Sequence, residues 1–244
     1  MSGHSKWSKV KHQKAVTDSA RGKIFTKMAS AIIIAVKEGG GSDPSSNFKL
    51  RLAIEKARSF NMPKENIERA IERVLKSGSE GNLYSVTYEA MGPNGVGFII
   101  EATTDNKQRT VSEVKNILER GGGVLTTPGS VSHLFTQLGQ VTVESGNSDK
   151  VMEIALETGA LDMEESEGQI HIFTNPKDVH RVKEALGKHG FPISAAELIF
   201  HPVTKIPITT KEQADKVHSL YTTLTDLDDI AKVFVNCYIP DEFL

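Results

Sequence analysis

The residues best suited to chemistry lie near the N-terminus, where basic side chains recur over a short stretch. This basic arm contains seven lysines and arginines, two histidines and the single tryptophan of the chain: His4, Lys6, Trp7, Lys9, Lys11, His12, Lys14, Arg21, Lys23 and Lys27. Ammonium and guanidinium groups bind phosphates, and an indole ring can stack on a nucleobase. The plainer alternative is a solvated tail whose tryptophan only anchors it to the body of the protein.

The charge of the whole chain conceals a strong asymmetry. The sequence has 29 Lys and Arg against 31 Asp and Glu, a formal net charge of −2. Residues 1–76 hold 16 basic and 7 acidic residues, whereas residues 77–244 hold 13 and 24. Such an asymmetry indicates polyanion binding by the basic part. The acidic part would repel nucleic acid, so we expect the polyanion at the N-terminal end.

A second polar stretch runs from Thr103 to Thr110, between an apolar segment and a helical pattern. It can be a solvated loop that caps the following helix at Asn106 or Thr110. It can also be a hydrogen-bonding surface for RNA, DNA or protein. The candidates for that second surface are Thr104, Asp105, Asn106, Lys107, Arg109 and Thr110.

Catalytic signatures are missing from the sequence. It contains no phosphate-binding Gly-x-x-x-x-Gly-Lys-Ser/Thr, no Gly-x-Gly-x-x-Gly, no Gly-x-Ser-x-Gly and no His-Glu-x-x-His. The eight histidines are dispersed, and Cys237 lies in an apolar segment where a small buried side chain is expected. We therefore expect no enzyme, no catalytic residue, no metal and no cofactor. An enzyme that uses the Thr103–Thr110 stretch is the contrasting hypothesis.

Three helices are predicted in residues 17–76. Apolar residues recur there at steps of three and four, with the second helix beginning near Ser45 or Ser46 and the third at Pro63. A polar segment at 77–82 reads as a linker. Three helices with one apolar stripe each should pack as a bundle that leaves basic residues outside. Those basic residues are Arg51, Lys56, Arg58, Lys64, Arg69, Arg73 and Lys76.

The rest of the chain alternates between strand and helix patterns. Residues 83–135 contain strands at Val86–Glu89, Val96–Ala102 and Val131–Phe135 and a helix at Arg109–Arg120. Residues 140–203 follow a β-α-β-β-α-β order, which is typical of a ferredoxin-like fold. A last helix from Lys211 and a strand at Ile230–Tyr238 cannot form a domain alone. We predict an α+β protein with three domains: 1–80, 83–135 plus 205–244, and an inserted ferredoxin-like domain at 136–204.

No segment of the sequence suits a membrane. The longest apolar run, Ala31–Val36, is far shorter than the roughly 20 residues of a spanning helix. The first residues lack the apolar core of a signal peptide. We therefore expect a cytoplasmic protein without a membrane partner. The sequence leaves the oligomeric state open, a monomer included.

Several motifs together resemble those of the YebC/PmpR family, and the resemblance spans nearly the whole chain. They are Gly3-His4-Ser5-Lys6-Trp7, Lys11-His12-Gln13-Lys14, Arg21-Gly22-Lys23-Ile24-Phe25-Thr26-Lys27, Asn61-Met62-Pro63-Lys64-Glu65-Asn66-Ile67, Thr104-Asp105-Asn106 and Gly129-Ser130-Val131. The resemblance implies a three-domain cytoplasmic protein without enzymatic activity. Bacterial members are described as DNA-binding transcriptional regulators. Mitochondrial relatives activate translation, including that of cytochrome c oxidase, and some bacterial members are linked to the ribosome and to relief of stalling.

These observations favour a non-enzymatic regulator that binds nucleic acid through the basic arm and the bundle. DNA in transcription is the first target, and ribosomal RNA or mRNA in translation is the alternative. A flexible basic arm suits an RNA groove at least as well as a DNA groove. A protein-interaction module that uses the acidic inserted domain is a further option.

Overall fold

The computed structural model describes residues 18–77, 83–144, 147–166 and 168–243 of the chain. These ranges form seven α-helices and ten β-strands. The helices are α1 (Asp18–Glu38), α2 (Phe48–Ser59), α3 (Lys64–Ser77), α4 (Lys107–Arg120), α5 (Ser148–Glu157), α6 (Val179–Lys188) and α7 (Lys211–Thr225). The strands are β1 (Tyr84–Met91), β2 (Gly97–Thr104), β3 (Val124–Thr126), β4 (Phe135–Glu144), β5 (Ala160–Ser166), β6 (Gln169–Thr174), β7 (Ile193–Pro202), β8 (Ile206–Pro207), β9 (Ile230–Val235) and β10 (Cys237–Tyr238). The predicted α+β class is confirmed.

Helices α1, α2 and α3 form the predicted bundle around an apolar core. Ile32 and Val36 of α1, Leu50 and Ala57 of α2 and Ile67 of α3 are all buried there. Apolar side chains at helical spacing account for this packing, because each helix can bury its stripe only against the other two.

The predicted start of α2 near Ser45 or Ser46 is wrong, because the cap is Asn47. Its side-chain oxygen accepts a hydrogen bond from the Leu50 backbone N–H at 3.0 Å. Its amide nitrogen donates to the Ala35 carbonyl at 2.8 Å, which ties the start of α2 to the end of α1. Asn47 is fully buried and makes both of these hydrogen bonds. The helix therefore begins after Asn47, and not at one of the two serines.

The central sheet has the strand order β3-β1-β2-β9. Helices α4 and α7 cover one face of it and share its apolar core. Strand β9, near the C-terminus, pairs antiparallel with β2, so residues 230–235 return to the sheet formed by residues 84–126.

Two strand predictions in this part are wrong. The predicted strand Ile230–Tyr238 ends at Val235, because buried Asn236 turns the chain and accepts a hydrogen bond from the Gly97 N–H at 2.7 Å. The residues after it pair in parallel with β8 instead. The second wrong prediction is the strand at Val131–Phe135. Residues Ser132–Leu134 form a short 3-10 helix there, because the Glu89 carboxylate accepts hydrogen bonds from the backbone N–H groups of Val131 and Ser132.

Strands β4 to β7 and helices α5 and α6 form the ferredoxin-like unit. Its strand order is β5-β6-β4-β7 with antiparallel pairing throughout, which is the order of the split β-α-β motif. Helices α5 and α6 pack on one face through Val151, Ala155, Val182 and Leu186. The predicted ferredoxin-like arrangement is confirmed.

Apolar contacts join the three parts. Ile99 and Phe234 of the central sheet share a core with Phe173 and Ile199 of the ferredoxin-like unit. Phe48 and Leu52 of α2 pack against the other core of that unit. The bundle therefore packs against the ferredoxin-like unit. The division into three independent domains stays a prediction.

Candidate nucleic-acid interface

Most of the predicted basic arm lies outside the described residues. This applies to His4, Lys6, Trp7, Lys9, Lys11, His12 and Lys14. The remaining three, Arg21, Lys23 and Lys27, lie on α1.

The three cations of α1 have different environments. The Lys27 ammonium donates to the carbonyls of Thr225 and Ile230, both at 2.8 Å, and so fastens α1 to the segment between α7 and β9. The Lys23 ammonium lies 3.5 Å from the carboxylate of Asp228, and both side chains are exposed. Arg21 is exposed and has no ion pair with a described residue. Lys27 thus has a structural role, while Arg21 is available to a ligand.

Helix α3 carries a stripe of polar side chains that faces solvent beside α1. Asn66, Arg69 and Arg73 recur at steps of three and four, so they lie on one side of the helix. Both arginines are exposed. Arg69 reaches only the side-chain oxygen of Asn66, at 3.5 Å, and Arg73 forms no ion pair with any described residue. Two guanidinium groups therefore remain free to bind an anion.

The acidic residues of α3 do not neutralise this stripe. Glu68 pairs with Lys64 at 3.5 Å and Glu72 pairs with Lys76 at 2.5 Å. Glu65 lies in the first turn, where a negative charge favours the helix dipole. Lys64 and Lys76 are consequently compensated, and the positive charge of α3 is concentrated on its two arginines.

A groove between α1 and α3 lies directly beside the two arginines. Its volume is about 260 Å³. Its apolar lining comes from Phe25, Ala29, Ile33, Met62 and Ala70, and its polar lining from Thr26, Asn66, Arg69 and Arg73. Pockets for drug-sized ligands span roughly 300–1,000 Å³, so this groove suits a single ring rather than a whole cofactor. An aromatic base on the apolar floor would place its phosphates near the arginines.

Two cations of α2, Arg51 and Lys56, contact the ferredoxin-like unit. The Arg51 guanidinium donates to the carbonyls of Pro44 and Ser45 at 2.9 and 2.8 Å and also contacts His180 of α6. The Lys56 ammonium lies 2.8 Å from the Glu197 carboxylate of β7. Of the α2 cations that we predicted on the outer surface, Arg58 is exposed, and the other two hold the bundle against the sheets.

A charged junction fixes the three parts relative to one another. The Glu197 carboxylate also binds the Lys232 ammonium of β9, at 2.9 Å. Burial alone would raise the pKa of Glu197, but Lys232 and Lys56 outweigh it and hold that pKa far below its usual value. Burial raises the pKa of Glu101 on neighbouring β2, partly offset by Lys232. This junction holds the bundle, and with it the arginine stripe, in place.

Three residues of the second predicted surface, the buried Thr104 and Thr110 and the exposed Arg109, bind Asp229, a residue that precedes β9. The Thr110 and Thr104 hydroxyls donate to its carboxylate at 2.6 and 3.1 Å, and the Arg109 guanidinium donates at 2.8 Å. Burial raises the pKa of Asp229, but these hydrogen bonds outweigh it and lower the pKa below its usual value. The side chain of Asn106 caps α4, the first of the two caps that the sequence suggested.

The remaining members of this surface are exposed. Asp105 pairs with Arg109 at 2.9 Å, and the Lys107 ammonium lies 4.5 Å from the centre of the Tyr84 ring. The hydrogen bonds of Thr104, Arg109 and Thr110 to Asp229 thus join β2, α4 and the segment before β9. Sequence reasoning missed Asp229, because Asp228 and Asp229 are adjacent aspartates and the sequence does not show which of them faces the network.

The exposed turn at Thr127–Ser130 is held by Glu89 of β1. The Glu89 carboxylate accepts hydrogen bonds from the backbone N–H groups of Gly129, Val131 and Ser132 at 2.8, 2.6 and 2.9 Å. Burial raises the pKa of Glu89, and the three backbone donors more than compensate, so the pKa is lowered. Glu89 is a structural anchor that the sequence alone did not indicate.

The described residues offer little for catalysis. They contain no cluster of three or more His, Cys, Asp or Glu side chains that could hold a metal ion. Burial raises the pKa of the Cys237 thiol to about 12, so this side chain is a packed apolar group, as expected, and a poor nucleophile. Within the same ranges, no helix combines the length and the hydropathy needed to cross a bilayer.

Two family models match the chain. One is described as the TACO1/YebC protein N-terminal domain and matches residues 5–77, and the other as the TACO1/YebC second and third domain and matches residues 83–237. Together they cover the bundle and both four-stranded sheets.

Full-length relatives and a solved structure agree with these matches. A "Probable transcriptional regulatory protein" of Caldanaerobacter subterraneus is 44% identical over 99% of this chain and 100% of its own length. One of the same name from Acinetobacter baumannii is 43% identical over 100% of this chain and 98% of its own length. The crystal structure of a conserved hypothetical protein from Aquifex aeolicus superposes with a TM-score of 0.83 at 38% identity, covering 96% of this chain and 99% of that one.

Proposed function

Because this chain belongs to the TACO1/YebC family, we propose that it is a non-enzymatic regulator of gene expression that binds nucleic acid through its helical bundle. Its relatives carry the name of transcriptional regulators, which supports DNA as the first target. Such a regulator would act in the cytoplasm, without a membrane partner and without a cofactor.

The observation that carries this proposal is the pair of arginines beside an apolar groove. Arg69 and Arg73 are exposed and have no acidic partner among the described residues. A ligand that satisfies both the guanidinium groups and the apolar floor needs anionic groups and flat rings in alternation. A nucleic acid strand has this composition, since phosphates bind arginine and bases pack on apolar or aromatic side chains. Residues 1–17 precede α1 in the sequence, and their cations would extend the contact.

A second candidate is an RNA-binding translation factor that acts on the ribosome, and the shape of the groove favours it. A base inside a duplex is stacked on both faces, whereas an unpaired base can enter a groove of single-ring size. Glu65 of α3 has no ion pair with a described residue, and its charge opposes insertion of α3 into a DNA major groove. An RNA loop or a single strand would supply such an unpaired base, which is the argument for this second candidate.

Salt-dependent binding tests the proposal directly. The affinity for a labelled single-stranded oligonucleotide and for a duplex should be measured by fluorescence anisotropy over a range of salt concentrations. Replacing Arg69 and Arg73 by Gln should lower the slope of log K against log salt by about 1.4 on single strands and about 1.8 on duplex DNA, because two phosphates lose their cations. Near 0.1 M salt the same change should weaken binding by about ten- to a hundredfold.

The matched control is Arg120→Gln on α4, which removes one exposed arginine outside the bundle. It should leave the slope and the affinity unchanged. An equal loss in the control, or a slope that is flat in the wild-type chain, would overturn the proposal. A preference for duplex promoter fragments with a defined footprint would support the DNA target, and tighter binding to unpaired RNA would support the ribosome.

A further inference from the structure

The ferredoxin-like unit exposes apolar side chains on one helix–turn–strand segment. Seven large apolar side chains are exposed in the described parts of the chain, and three of them belong to this segment: Met152 at 44%, Leu156 at 59% and Leu161 at 55%. Met152 and Leu156 are one helical turn apart on α5. Leu161 lies at the bulge of β5, between Ala160 and Asp162. The other four exposed apolar residues belong to elements outside this unit or to a loop, so this segment holds the largest group of exposed apolar side chains that are near one another in sequence.

Acidic side chains lie beside these apolar ones. Asp149, Glu153 and Glu157 recur every four residues on α5, so they share the outer side of the helix with Met152 and Leu156. All three carboxylates are exposed, and none forms an ion pair with a described residue. The α5–β5 face, defined here as Met152, Leu156, Leu161, Asp149, Glu153 and Glu157, is thus apolar and negative at once.

The last turn of α5 shows that stability does not explain this composition. Glu157 ends the helix, where the macrodipole disfavours a negative charge, and that turn contains no basic residue. Leu156 in the same turn exposes more than half of its surface to water. Glu157 lowers the stability of the isolated helix, and Leu156 leaves apolar surface in water, so a contact that the free chain lacks would accommodate both residues.

The cations near this face are few. Lys150 lies on the flank of α5, and Arg181 of α6 lies at the turn between α5 and β5. The Arg181 guanidinium is already engaged, with its Nε donating to the Thr158 carbonyl at 2.9 Å and its Nη2 lying 3.0 Å from the Asp178 carboxylate. The potential over the α5–β5 face is therefore negative.

We propose that the α5–β5 face is a docking surface for a Lys- and Arg-rich segment of a partner protein. Apolar side chains of the segment pack on Met152, Leu156 and Leu161, and its cations pair with the three carboxylates. Charge complementarity selects this occupant, because nucleic acids and anionic lipid surfaces are repelled by the same carboxylates. The contact joins the nucleic-acid-binding bundle to a second macromolecule through a separate surface.

A synthetic peptide provides the test. The probe is a fluorescein-labelled helical peptide with leucines on one face and lysines elsewhere, and its control has serines in place of the leucines. Anisotropy titration with the full chain should show binding of the leucine peptide and much weaker binding of the serine peptide. The pair Met152→Ser with Leu156→Ser, and the pair Glu153→Gln with Glu157→Gln, should each weaken binding about tenfold, a loss of about 1.4 kcal/mol.

Matched controls lie on other surfaces of the chain. Leu75→Ser on α3 and Glu113→Gln on α4 remove one exposed apolar and one exposed acidic side chain elsewhere. These variants should leave peptide binding unchanged, and the α5 variants should leave oligonucleotide binding unchanged, which separates this proposal from the nucleic-acid function. Equal losses in the controls, or equal binding of the two peptides, would overturn it. A wild-type dimer that Met152→Ser with Leu156→Ser dissociates would also overturn it, since the face would then bind a second copy.

Discussion

Asp229 organises the joint between β2, α4 and β9, so its replacement should destabilise the fold. Asp229→Ala leaves the hydroxyls of Thr104 and Thr110 without their charged acceptor, at 3.1 and 2.6 Å in the native chain. Hydrogen bonds to charged groups contribute about 1.5–3 kcal/mol each, while the exposed ion pair with Arg109 adds little because solvent screens it. Allowing for relaxation, we expect a loss of about 3 kcal/mol for Asp229→Ala. Asp229→Asn keeps neutral acceptors and should lose about 1–2 kcal/mol.

The loss should depend on pH in a defined direction. The folded-state pKa of Asp229 is lowered, so its carboxylate stabilises the fold above the unfolded-state value of about 3.9 and stops doing so as pH falls through the lower folded-state value. The difference in unfolding free energy between the wild type and Asp229→Asn should therefore be constant near neutral pH. It should shrink below about pH 4, because the carboxyl of the unfolded wild type binds a proton there, and it should vanish once the folded-state carboxyl is protonated as well.

Urea titrations followed by circular dichroism at pH 7 and at pH 3 measure both effects. Asp228→Asn is the matched control, because this adjacent carboxylate is exposed and only pairs with Lys23 at 3.5 Å. It should change the unfolding free energy by less than about 0.5 kcal/mol. Equal effects of the two substitutions, or a loss for Asp229→Asn that grows on acidification, would refute the assigned role of Asp229.

Three further predictions test the packing that positions the interface. Glu197→Ala removes the carboxylate that binds the part-exposed ammonium groups of Lys56 and Lys232, so urea titration should show a loss of about 1.5–3 kcal/mol; an unchanged unfolding free energy would contradict the role of this junction. Asn236→Ala removes the acceptor of the Gly97 N–H at 2.7 Å and should cost about 1–3 kcal/mol by the same assay, against a cost near zero if the turn forms without it. The buried Cys237 thiol, with its pKa raised to about 12, should react with Ellman's reagent only as fast as the chain unfolds, and rapid labelling of the native chain would contradict its burial.

Periodicity was sufficient for the three helices of the bundle and for the ferredoxin-like unit, but not for the short strands β3 and β8. Strands and helices of the ferredoxin-like unit alternate along the chain, and the apolar residues of each element face one core, so local pattern and tertiary packing agree. The β-α-β-β-α-β order follows directly. Bounds were less accurate: Asn47, Ser45 and Ser46 are all able to cap α2, and only the contact of Asn47 with the Ala35 carbonyl decides between them.

The site was harder to predict, because its details depend on partners that are distant in sequence. Lys27 was predicted to face a ligand, but its ammonium binds a carbonyl 198 residues away. The run at Val131–Phe135 looks like a strand, yet Glu89, 42 residues earlier, turns its start into a 3-10 helix. The groove beside Arg73 requires α1 and α3 to be adjacent, which no local pattern shows.

Crosslinking of the bound nucleic acid to the native chain tests the central claim most directly. Cells that express the chain are irradiated with ultraviolet light, and the crosslinked peptides and nucleotides are identified by mass spectrometry. We predict crosslinks in the basic arm and near the groove between α1 and α3, with peptides that include Phe25 or residues 62–73, and none in α5. Crosslinks confined to the ferredoxin-like unit, or their absence from the bundle, would contradict the account.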